Sequence, residues 1–344
     1  MKIGYAPYDH TLEAPGDRKR FVAWARDRGA AFEVVDAPRP GIDVAVVCTV
    51  ADLTRWRRAP RDMKVVYDVT DDYLALPDGS VKNRARGVVK YLSGELSRPT
   101  LGYRRLIADM CRRADVVVCT SEDQRRHVLD LGHTDVRIIL DCYDADSVAV
   151  KTDYGRNGPP TLAWEGLPFN IETLALLRDP IAALPPALRP TLHIATQPVF
   201  HPHARRFGRR SAQTVAERSL PGVPIVLHAW DRGTMPSIMA ACDVAVIPLP
   251  LDDAFARSKS AQKLVGFWAM GMPVVASSTP AYAEAMRAAG LDLACTTASE
   301  WTHALGTLLS EEAARRDAGS AGQAFVHAQA SREIMLARWD AILA

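Results

Sequence analysis

The sequence predicts an α/β protein made of two doubly wound domains that face a cleft. Segments typical of strands and of helices alternate along the chain in two successive runs. A stretch rich in Gly, Pro and Asn, at 151–160, separates the two runs and is typical of a linker. The apolar strands lack strict alternation of polar and apolar residues, which is expected when helices cover both faces of a parallel sheet.

The first run contains the elements of the first domain. The predicted strands are 2–6, 31–36, 43–49, 64–70, 115–121 and 135–140, and the predicted helices are 17–28, 98–113 and 121–131. Asp17 and Ser121 are candidate N-caps, because their side-chain oxygens can accept hydrogen bonds from the free N–H groups of a first helical turn.

The second run repeats the rhythm after the linker. The predicted strands are 161–166, 191–196, 224–229, 243–249, 273–277 and 291–296, and the predicted helices are 170–178, 234–241, 260–270, 280–288, 299–309 and a tail at 311–343. Asn170 is a candidate N-cap for the first of these helices. We therefore expect a first domain over 1–152 and a second over 153–330.

Composition restricts the class of protein. The chain has 344 residues, of which 48% are hydrophobic, and this fraction is ordinary for a globular protein. The formal net charge of +2 argues against a general nucleic-acid binder. No apolar run approaches the ~20 residues that span a bilayer. The N-terminus resembles a first strand rather than a signal peptide, and the 6 cysteines show no C-x-x-C spacing. We expect a cytoplasmic protein with reduced, mostly buried thiols.

The segment 242–277 is the most informative part of the chain. It reads as strand, loop, helix and strand, which is a βαβ unit of a parallel sheet. Arg257, Lys259 and Lys263 surround the predicted start of the helix, and the two lysines share a face if both are helical. Cations are unfavourable at the positive end of a helix, unless an anion such as a diphosphate binds there. Solvated cations in an exposed loop are the alternative.

Two motifs in this segment carry a family resemblance. RSKSAQKL at 257–264 and FWAMGMPVVAS at 267–277 resemble the donor-site segment of GT-B glycosyltransferases, in the retaining, family 4-like group. TLAWEGLPFN at 161–170 and DVVVCTSEDQRRHV at 115–128 resemble other parts of that family. The resemblance implies two Rossmann-like domains, with a nucleoside diphosphate sugar held mainly by the second. It also implies a saccharide or lipid-linked acceptor held by the first, and a last helix, 331–344, that returns to the first domain.

The resemblance and the residue chemistry give a candidate donor site. Lys259 and Lys263 would stabilise the leaving diphosphate without a metal ion or cofactor, because fixed cations can neutralise the developing charge. The remaining candidates for donor binding are Arg257, Ser258, Gly166, His228 and Trp230. Glycine at 166 would allow close approach of the backbone to phosphate, and a plain tight turn is the alternative. Trp230 could stack on a base, and a packed ring is the alternative. One residue departs from the family pattern, since Gly266 stands where a Glu or Gln usually contacts the donor.

Acceptor-side candidates lie in the first run. Asp71 and Asp72 follow the predicted strand 64–70, and Asp72 is a candidate for handling the transferred proton. Arg18, in a basic turn after the first strand, and His10 complete this set, with a solvated basic face as the alternative for the turn. The D-x-D patterns here and at 144–146 mimic a metal signature of the other glycosyltransferase fold, but the βαβ organisation does not suit that fold, so no metal site is expected.

Other functions remain open at this stage. The alternatives to transfer are a GT-B protein that binds a nucleotide or glycan without turnover, a sugar-nucleotide epimerase and a basic scaffold. Residues 82–113 contain nine Lys or Arg against two acids, interleaved with apolar residues, which is typical of a peripheral contact with anionic lipid. A second basic patch at 201–210 includes His203, Arg205 and Arg206, and no nucleic-acid-binding module is recognised.

Overall fold

The computed structural model describes residues 1–77, 81–143, 149–156, 158–201 and 208–343, with the backbone alone for 81–84. The chain divides into two compact units. The first unit contains Met1–Cys142, Ser258–Gln262 and Ala330–Ala344, and the second contains Tyr143–Arg257 and Lys263–Gln329. The predicted loop at 144–146 and the side chains of His203, Arg205 and Arg206 lie outside the described residues.

The described strands are β1 (Ile3–Ala6), β2 (Phe32–Val34), β3 (Val44–Cys48), β4 (Lys64–Asp68), β5 (Val116–Cys119), β6 (Val136–Ile138), β7 (Thr161–Glu165), β8 (Thr191–Thr196), β9 (Val199–Phe200), β10 (Arg210–Ser211), β11 (Ile225–Ala229), β12 (Val244–Ile247), β13 (Val274–Ser277) and β14 (Ala294–Cys295). The described α-helices are α1 (Pro15–Arg18), α2 (Phe21–Arg28), α3 (Leu53–Trp56), α4 (Val81–Leu92), α5 (Tyr103–Arg113), α6 (Glu122–Leu129), α7 (Arg178–Ala182), α8 (Ala212–Ser219), α9 (Met235–Ala240), α10 (Ala254–Arg257), α11 (Gln262–Ala269), α12 (Pro280–Ala288), α13 (Ala298–Ser310), α14 (Glu312–Gln329) and α15 (Arg332–Leu343). Three 3-10 helices are also described, Tyr73–Ala75, Pro168–Leu177 and Pro186–Leu188.

Each unit contains a six-stranded parallel sheet, as the alternation of strands and helices predicts. The first has the order β2-β1-β3-β4-β5-β6, which reverses direction between β1 and β3. The second has the order β11-β8-β7-β12-β13-β14, which corresponds to the 3-2-1-4-5-6 order of a Rossmann fold and reverses between β7 and β12. In open α/β sheets, ligands bind at the carboxyl ends of the strands at such reversals.

The first sheet is buried on both faces, which explains why its strands read as continuous apolar runs. Val44 and Val46 belong to one hydrophobic core with the helical residues Phe21 and Trp339, whereas Ala45 packs in a separate core on the other face. Trp339 lies on α15 and contacts Phe21 with the ring edge at 6.0 Å between centroids. The tail helix is therefore a structural part of the first unit.

Several predicted helices differ from the observed ones. The predicted helix 17–28 is two helices, α1 and α2, and Asp17 caps neither. Instead, the Asp17 carboxylate is buried and accepts hydrogen bonds from Tyr5 Oη at 2.6 Å and from the backbone N of Tyr8 at 2.8 Å. Asp17 thus fixes the loop after β1. The N-cap prediction for Ser121 is confirmed, since its Oγ accepts from Gln124 N at 3.2 Å.

Other helix boundaries depend on local features that the hydrophobic periodicity of the sequence does not show. The predicted helix 98–113 begins only at Tyr103, after Gly102 at φ 97°, and α4 precedes it. The segment predicted as a helix from Asn170 is a 3-10 helix, Pro168–Leu177, capped by Leu167, so the N-cap prediction for Asn170 was wrong. A proline in the first turn fixes a helical φ and favours this earlier start. The tail is divided into α14 and α15.

A buried ion network crosses the first unit beneath the carboxyl end of β4. The fully buried guanidinium of Arg20 donates to Asp68 through Nε at 2.8 Å and Nη2 at 2.6 Å, and to Asp141 Oδ1 at 3.1 Å. Burial opposes the charged form of Arg20, but Asp68 outweighs it and raises the Arg20 pKa. Asp141 also accepts from Gln262 Nε2 at 2.7 Å, so the network fixes the segment Ser258–Gln262 within this unit.

All 6 cysteines are buried and lie outside disulfide bonds, in agreement with the reduced, mostly buried thiols that the sequence predicts. Burial raises the pKa of Cys111, Cys242 and Cys295 to about 12, which keeps these thiols protonated and unreactive at neutral pH. Among the helices of the described residues, none combines the length and the hydropathy that a bilayer crossing requires.

Replacing Arg20 tests the network. We expect Arg20→Met to lower the free energy of unfolding by ~3–5 kcal/mol, because it leaves buried carboxylates unpaired. Arg28→Met is the matched control, since Arg28 forms a solvent-exposed pair with Asp340, and such pairs contribute about 0–1 kcal/mol. Urea unfolding monitored by tryptophan fluorescence measures both variants. Equal, small losses in the two variants would contradict the assignment.

Candidate functional site

Lys263 marks a polar cluster at the carboxyl edge of the second sheet. It lies in the first turn of α11, and its Nζ donates to the backbone O of Glu165 at 2.7 Å, at the end of β7. The Glu165 carboxylate is 3.8 Å from the same ammonium group, and Nζ also lies 5.5 Å from the centroid of the Trp164 ring. The ammonium group is therefore held at the point where the strand order of the second sheet reverses.

Gly166 follows β7 in this cluster, and its lack of a side chain is a steric requirement. A Cβ at this position would lie 2.8 Å from Lys263 Nζ and 2.9 Å from the Trp164 ring. The backbone is fixed on both sides, since Gly166 N donates to Ala195 O at 3.2 Å and its O accepts from Thr196 Oγ1 at 2.7 Å. The turn thus keeps a backbone segment directly beside the lysine.

Trp230 belongs to the same cluster, whereas His228 contacts a different residue, His193. The exposed Trp230 ring donates from Nε1 to Glu165 Oε1 at 3.1 Å. His228 stacks on His193, with Nε2 of His228 3.1 Å from Nδ1 of His193. Burial and the neighbouring ring lower the His193 pKa, so His193 is neutral at physiological pH. Of the predicted donor residues, the second unit therefore brings together Gly166, Trp230 and Lys263.

The structure gives a physical reason for Gly266, the departure from the family pattern. Gly266 lies one turn after Lys263 in α11, and a Cβ there would lie 2.9 Å from Cε1 and 3.1 Å from Oη of Tyr143. The tyrosine ring occupies the space that a side chain at 266 would need. An acidic side chain in its usual family position is excluded unless Tyr143 moves.

The other predicted donor residues lie before α11. Lys259 is not helical, so the condition that it share a helix face with Lys263 is not met. In the first unit, Lys259 Nζ donates to Asp71 Oδ1 at 3.1 Å, and Ser258 Oγ donates to the backbone O of Asp72 at 3.4 Å. Arg257 is exposed at the end of α10, in the second unit. Lys259 therefore lies beside the predicted acceptor-side carboxylates.

Asp72 contacts a residue that the sequence analysis did not select. Its side chain is 3% exposed, and its Oδ2 lies 2.7 Å from Nδ1 of His127, on α6. The second carboxylate oxygen accepts from Leu74 N at 3.1 Å. The hydrogen bond to Asp72 raises the pKa of His127, although burial opposes this. The sequence contained a signal for this contact. Asp72 and His127 follow the neighbouring parallel strands β4 and β5, whose carboxyl ends lie at the same edge of the sheet.

A cavity of about 430 Å³ lies at the reversal point of the first sheet, where β1 and β3 end. Its lining includes His10, Asp36, Val50, Asp52, Arg55 and Glu95. His10 Nε2 is paired with Asp36 at 3.2 Å, and both side chains are exposed. Arg18 is half-buried at the end of α1 and is absent from this lining. Of the predicted acceptor-side residues, His10 lies in the cavity, and Asp71 and Asp72 form a separate group.

One group in the described chain has three metal-type ligand atoms within 4.8 Å of one another, namely those of Asp72, Asp123 and His127. Each is already engaged by the protein. Asp72 and His127 are at hydrogen-bond distance, and Asp123 is paired with Arg126 at 2.6 Å. These contacts describe a hydrogen-bonded acid and histidine pair with a neighbouring ion pair.

The two parallel sheets and their doubly wound helices define a GT-B fold, and solved structures of that class superpose on the chain. HepE from Anabaena, in complex with UDP and glucose, has a TM-score of 0.68 and 14% identity, covering 100% of this chain and 99% of that one. WaaG, a glycosyltransferase involved in lipopolysaccharide biosynthesis, has a TM-score of 0.61 and 14% identity, with coverage of 99% and 100%.

A more distant likeness is to a variant of S. aureus TarM in complex with UDP, with a TM-score of 0.58 and 9% identity. It covers 87% of this chain, which spans 55% of the length of TarM. No model of a protein family matches the chain, and no curated protein sequence does. Identities this low show the fold, and the sequence prediction of a GT-B fold is confirmed.

The contact between Gly266 and Tyr143 gives a testable prediction. Alanine in a helix interior is usually favoured over glycine by ~1 kcal/mol, but here the added Cβ must displace the tyrosine ring. We expect Gly266→Ala to lower the Tm in the native background and to raise it in a Tyr143→Ala background. Gly233→Ala, at an exposed position outside helices, is the control. The same sign of change in both backgrounds would contradict the steric explanation.

Proposed function

We propose that the chain is a glycosyltransferase, which moves a sugar from a nucleoside diphosphate sugar to a saccharide or lipid-linked acceptor. The observation that carries this proposal is the position of Lys263. Its ammonium group is held at the reversal point of a Rossmann-type sheet, beside the Gly166 turn, where a side chain would collide with it. Solved structures with the same fold include HepE with UDP and glucose, WaaG and TarM with UDP, which supports the same class of donor.

The proposed donor mode follows from the chemistry of the cluster. Departure of a nucleoside diphosphate places negative charge on phosphate oxygens, and a preorganised cation stabilises that charge. In this proposal Lys263 contacts the diphosphate, exchanging its contact with Glu165 O for phosphate. The exposed Trp230 ring offers an apolar face to the base.

The cavity at the reversal point of the first sheet is the proposed acceptor site. Asp36, Asp52 and Glu95 contribute carboxylates to its lining, and Arg55 and His10 contribute nitrogen donors. Such paired acceptors and donors suit the hydroxyl groups of a saccharide. A volume of about 430 Å³ accommodates a small ligand or one end of a longer one.

Finer features of the reaction rest on the sequence resemblance and are proposed with it. These are membership of the family 4-like group, retention of the anomeric configuration, transfer of a hexose without a metal ion, a role in polysaccharide biosynthesis and a cytoplasmic location. NMR of the anomer first formed tests retention, and activity in the presence of EDTA tests independence of metal ions. Nucleotide binding without turnover would favour the non-catalytic alternative, and exchange at sugar C2 without an acceptor would favour an epimerase.

Lys263 provides the direct test of the donor site. We expect Lys263→Met to weaken UDP binding and to slow release of UDP from UDP-glucose by on the order of a hundredfold, because a fixed cation beside the diphosphate is lost. Methionine keeps an unbranched side chain of similar length without the charge. Lys2→Met, which removes an exposed ion pair with Glu33, is the control. Calorimetry with UDP and a coupled assay of UDP release measure the effects, and unchanged affinity would refute the proposed donor mode.

A surface of the first unit supports peripheral contact with an anionic membrane. Leu92 and Leu101 are 76% and 81% exposed, at the end of α4 and before α5, and Val89 is also exposed. Arg98 and Arg105 are exposed in the same stretch. Apolar side chains flanked by cations are typical of a surface that inserts shallowly into anionic lipid, where a lipid-linked acceptor would be located.

Vesicle binding tests this surface. We expect the double variant Leu92→Ser and Leu101→Ser to bind vesicles containing phosphatidylserine at least tenfold more weakly than the native protein, since burying a leucine side chain contributes ~1.5–3 kcal/mol. Val226→Ser, which replaces an exposed apolar residue of β11, should bind normally. Co-sedimentation measures binding. Equal binding of phosphatidylcholine and phosphatidylserine vesicles, or no effect of the double variant, would exclude the proposed contact.

A further inference from the structure

The carboxylate of Glu165 lies between the two side chains to which the proposed donor mode assigns the base and the diphosphate. Its Oε1 accepts from Trp230 Nε1 at 3.1 Å, and its Oε2 lies 3.8 Å from Lys263 Nζ. All three residues belong to the second unit. In any nucleoside diphosphate, the ribose lies between the base and the diphosphate. The order of the three side chains therefore matches the order of the three parts of the ligand, with Glu165 at the ribose.

Glu165 is held in a fixed position by the sheet and by Trp230. It is the last residue of β7 and pairs in register with Ala195 of β8. The backbone directly after it is fixed as well, since Gly166 N donates to Ala195 O at 3.2 Å. The Glu165 side chain is 24% exposed, and the Trp230 N–H orients one of its two oxygens. A carboxylate supported in this way is preorganised for a ligand.

One oxygen of this carboxylate has capacity to accept a hydrogen bond from a ligand. An ionised carboxylate accepts hydrogen bonds at both oxygens and donates none. Within the described part of the chain, no group donates a hydrogen bond to Glu165 Oε2, and the Lys263 ammonium group lies beyond hydrogen-bond distance of it. The groups that suit such an oxygen are donors, such as the hydroxyl groups of a sugar.

The negative charge of Glu165 argues for a role beyond pairing with Lys263. A carboxylate repels phosphate, so it weakens the binding of a diphosphate if it contacts no other part of the ligand. It is also not required to hold the lysine, whose Nζ donates to the backbone O of Glu165 at 2.7 Å. The unfavourable charge is offset if the carboxylate accepts hydrogen bonds from the ligand. The transferred sugar lies on the far side of the diphosphate from the base, whereas the two neighbouring hydroxyl groups of the ribose lie beside Glu165.

We propose that Glu165 is a specificity-determining residue, which recognises the 2′- and 3′-hydroxyl groups of the donor ribose, and that Trp230 orients its carboxylate. This inference rests on the proposed function. A side chain at 266 cannot provide the contact, because the ring of Tyr143 occupies the space it would need. The chain should therefore select ribonucleotides over 2′-deoxyribonucleotides, since a deoxyribose leaves the half-buried carboxylate without its partner.

The experiment measures this selectivity by calorimetry with the full chain. It compares UDP with 2′-deoxy-UDP and GDP with 2′-deoxy-GDP, because the proposed contact does not involve the base. We expect the native chain to bind the ribonucleotide ~10–100-fold more tightly, as is typical of a hydrogen bond to a charged group. Glu165→Gln removes the charge at nearly constant size and should reduce this preference to less than about threefold.

Two further variants test the proposed orientation of the carboxylate. Trp230→Phe keeps an aromatic ring for the base but removes the N–H that holds Glu165, and should lower the preference in part. Glu165→Asp keeps the charge on a shorter side chain and should also retain part of it. Glu172→Gln, which replaces an exposed acid of the same unit, is the matched control and should show the native preference. Circular dichroism checks that each variant is folded.

The other outcomes separate this inference from the proposed function. Equal affinity of the native chain for UDP and 2′-deoxy-UDP would refute the inference and leave the proposed function intact. A native preference that Glu165→Gln retains would assign the hydroxyl contact to another group. If Glu165→Gln instead binds both nucleotides more tightly by the same factor, Glu165 is only a counter-ion of Lys263, and the inference is wrong. If the native chain binds neither UDP nor GDP, the proposed function and the inference fail together.

Discussion

The buried guanidinium of Arg20 is the constraint on which the first unit depends. Its contacts with Asp68 and Asp141 join the start of α2, the end of β4 and the chain after β6 in one network. A charge without solvent access is stable only while all its partners are present, so these three segments are fixed together. Since Asp68 ends β4, the network also fixes the start of the loop that presents Asp71 and Asp72.

In the second unit, packing requires glycine at two positions. Gly166 leaves room for the Lys263 ammonium group and the Trp164 ring, and Gly266 leaves room for Tyr143. Neither position tolerates a side chain without displacing an aromatic ring. The glycine at 266 is therefore explained by a neighbour in this chain, and its presence alone does not indicate a loss of activity.

The sequence was most informative where a single physical signal dominates. Buried parallel strands read as apolar runs, so the strands of both sheets could be predicted from them. The GT-B fold was implied by the family resemblance of the motifs at 257–264 and 267–277. Helix boundaries were less predictable because they depend on distant partners. Asp17 looked like an N-cap, but a buried carboxylate that accepts from Tyr5 and Tyr8 fixes a loop instead.

Prediction of the candidate site had the same limit, because contacts between residues far apart in the chain are not visible in the sequence. Lys263 and Gly166 could be selected from their motifs, but the contact between them depends on the position of α11 relative to β7. His127 was missed because its partner lies 55 residues away and because its segment was used only for its family resemblance. A histidine one helical turn after Asp123, following a strand adjacent to β4, was the available signal.

The complete burial of the native cysteines has a practical consequence for studying the two units. Because each native sulfhydryl is shielded from solvent, maleimide reagents should modify only cysteines that are introduced deliberately at the surface. One dye on each unit would then report on their separation by energy transfer in the otherwise native chain. Any rearrangement of the units on addition of a nucleotide could thus be followed without first removing any natural cysteine.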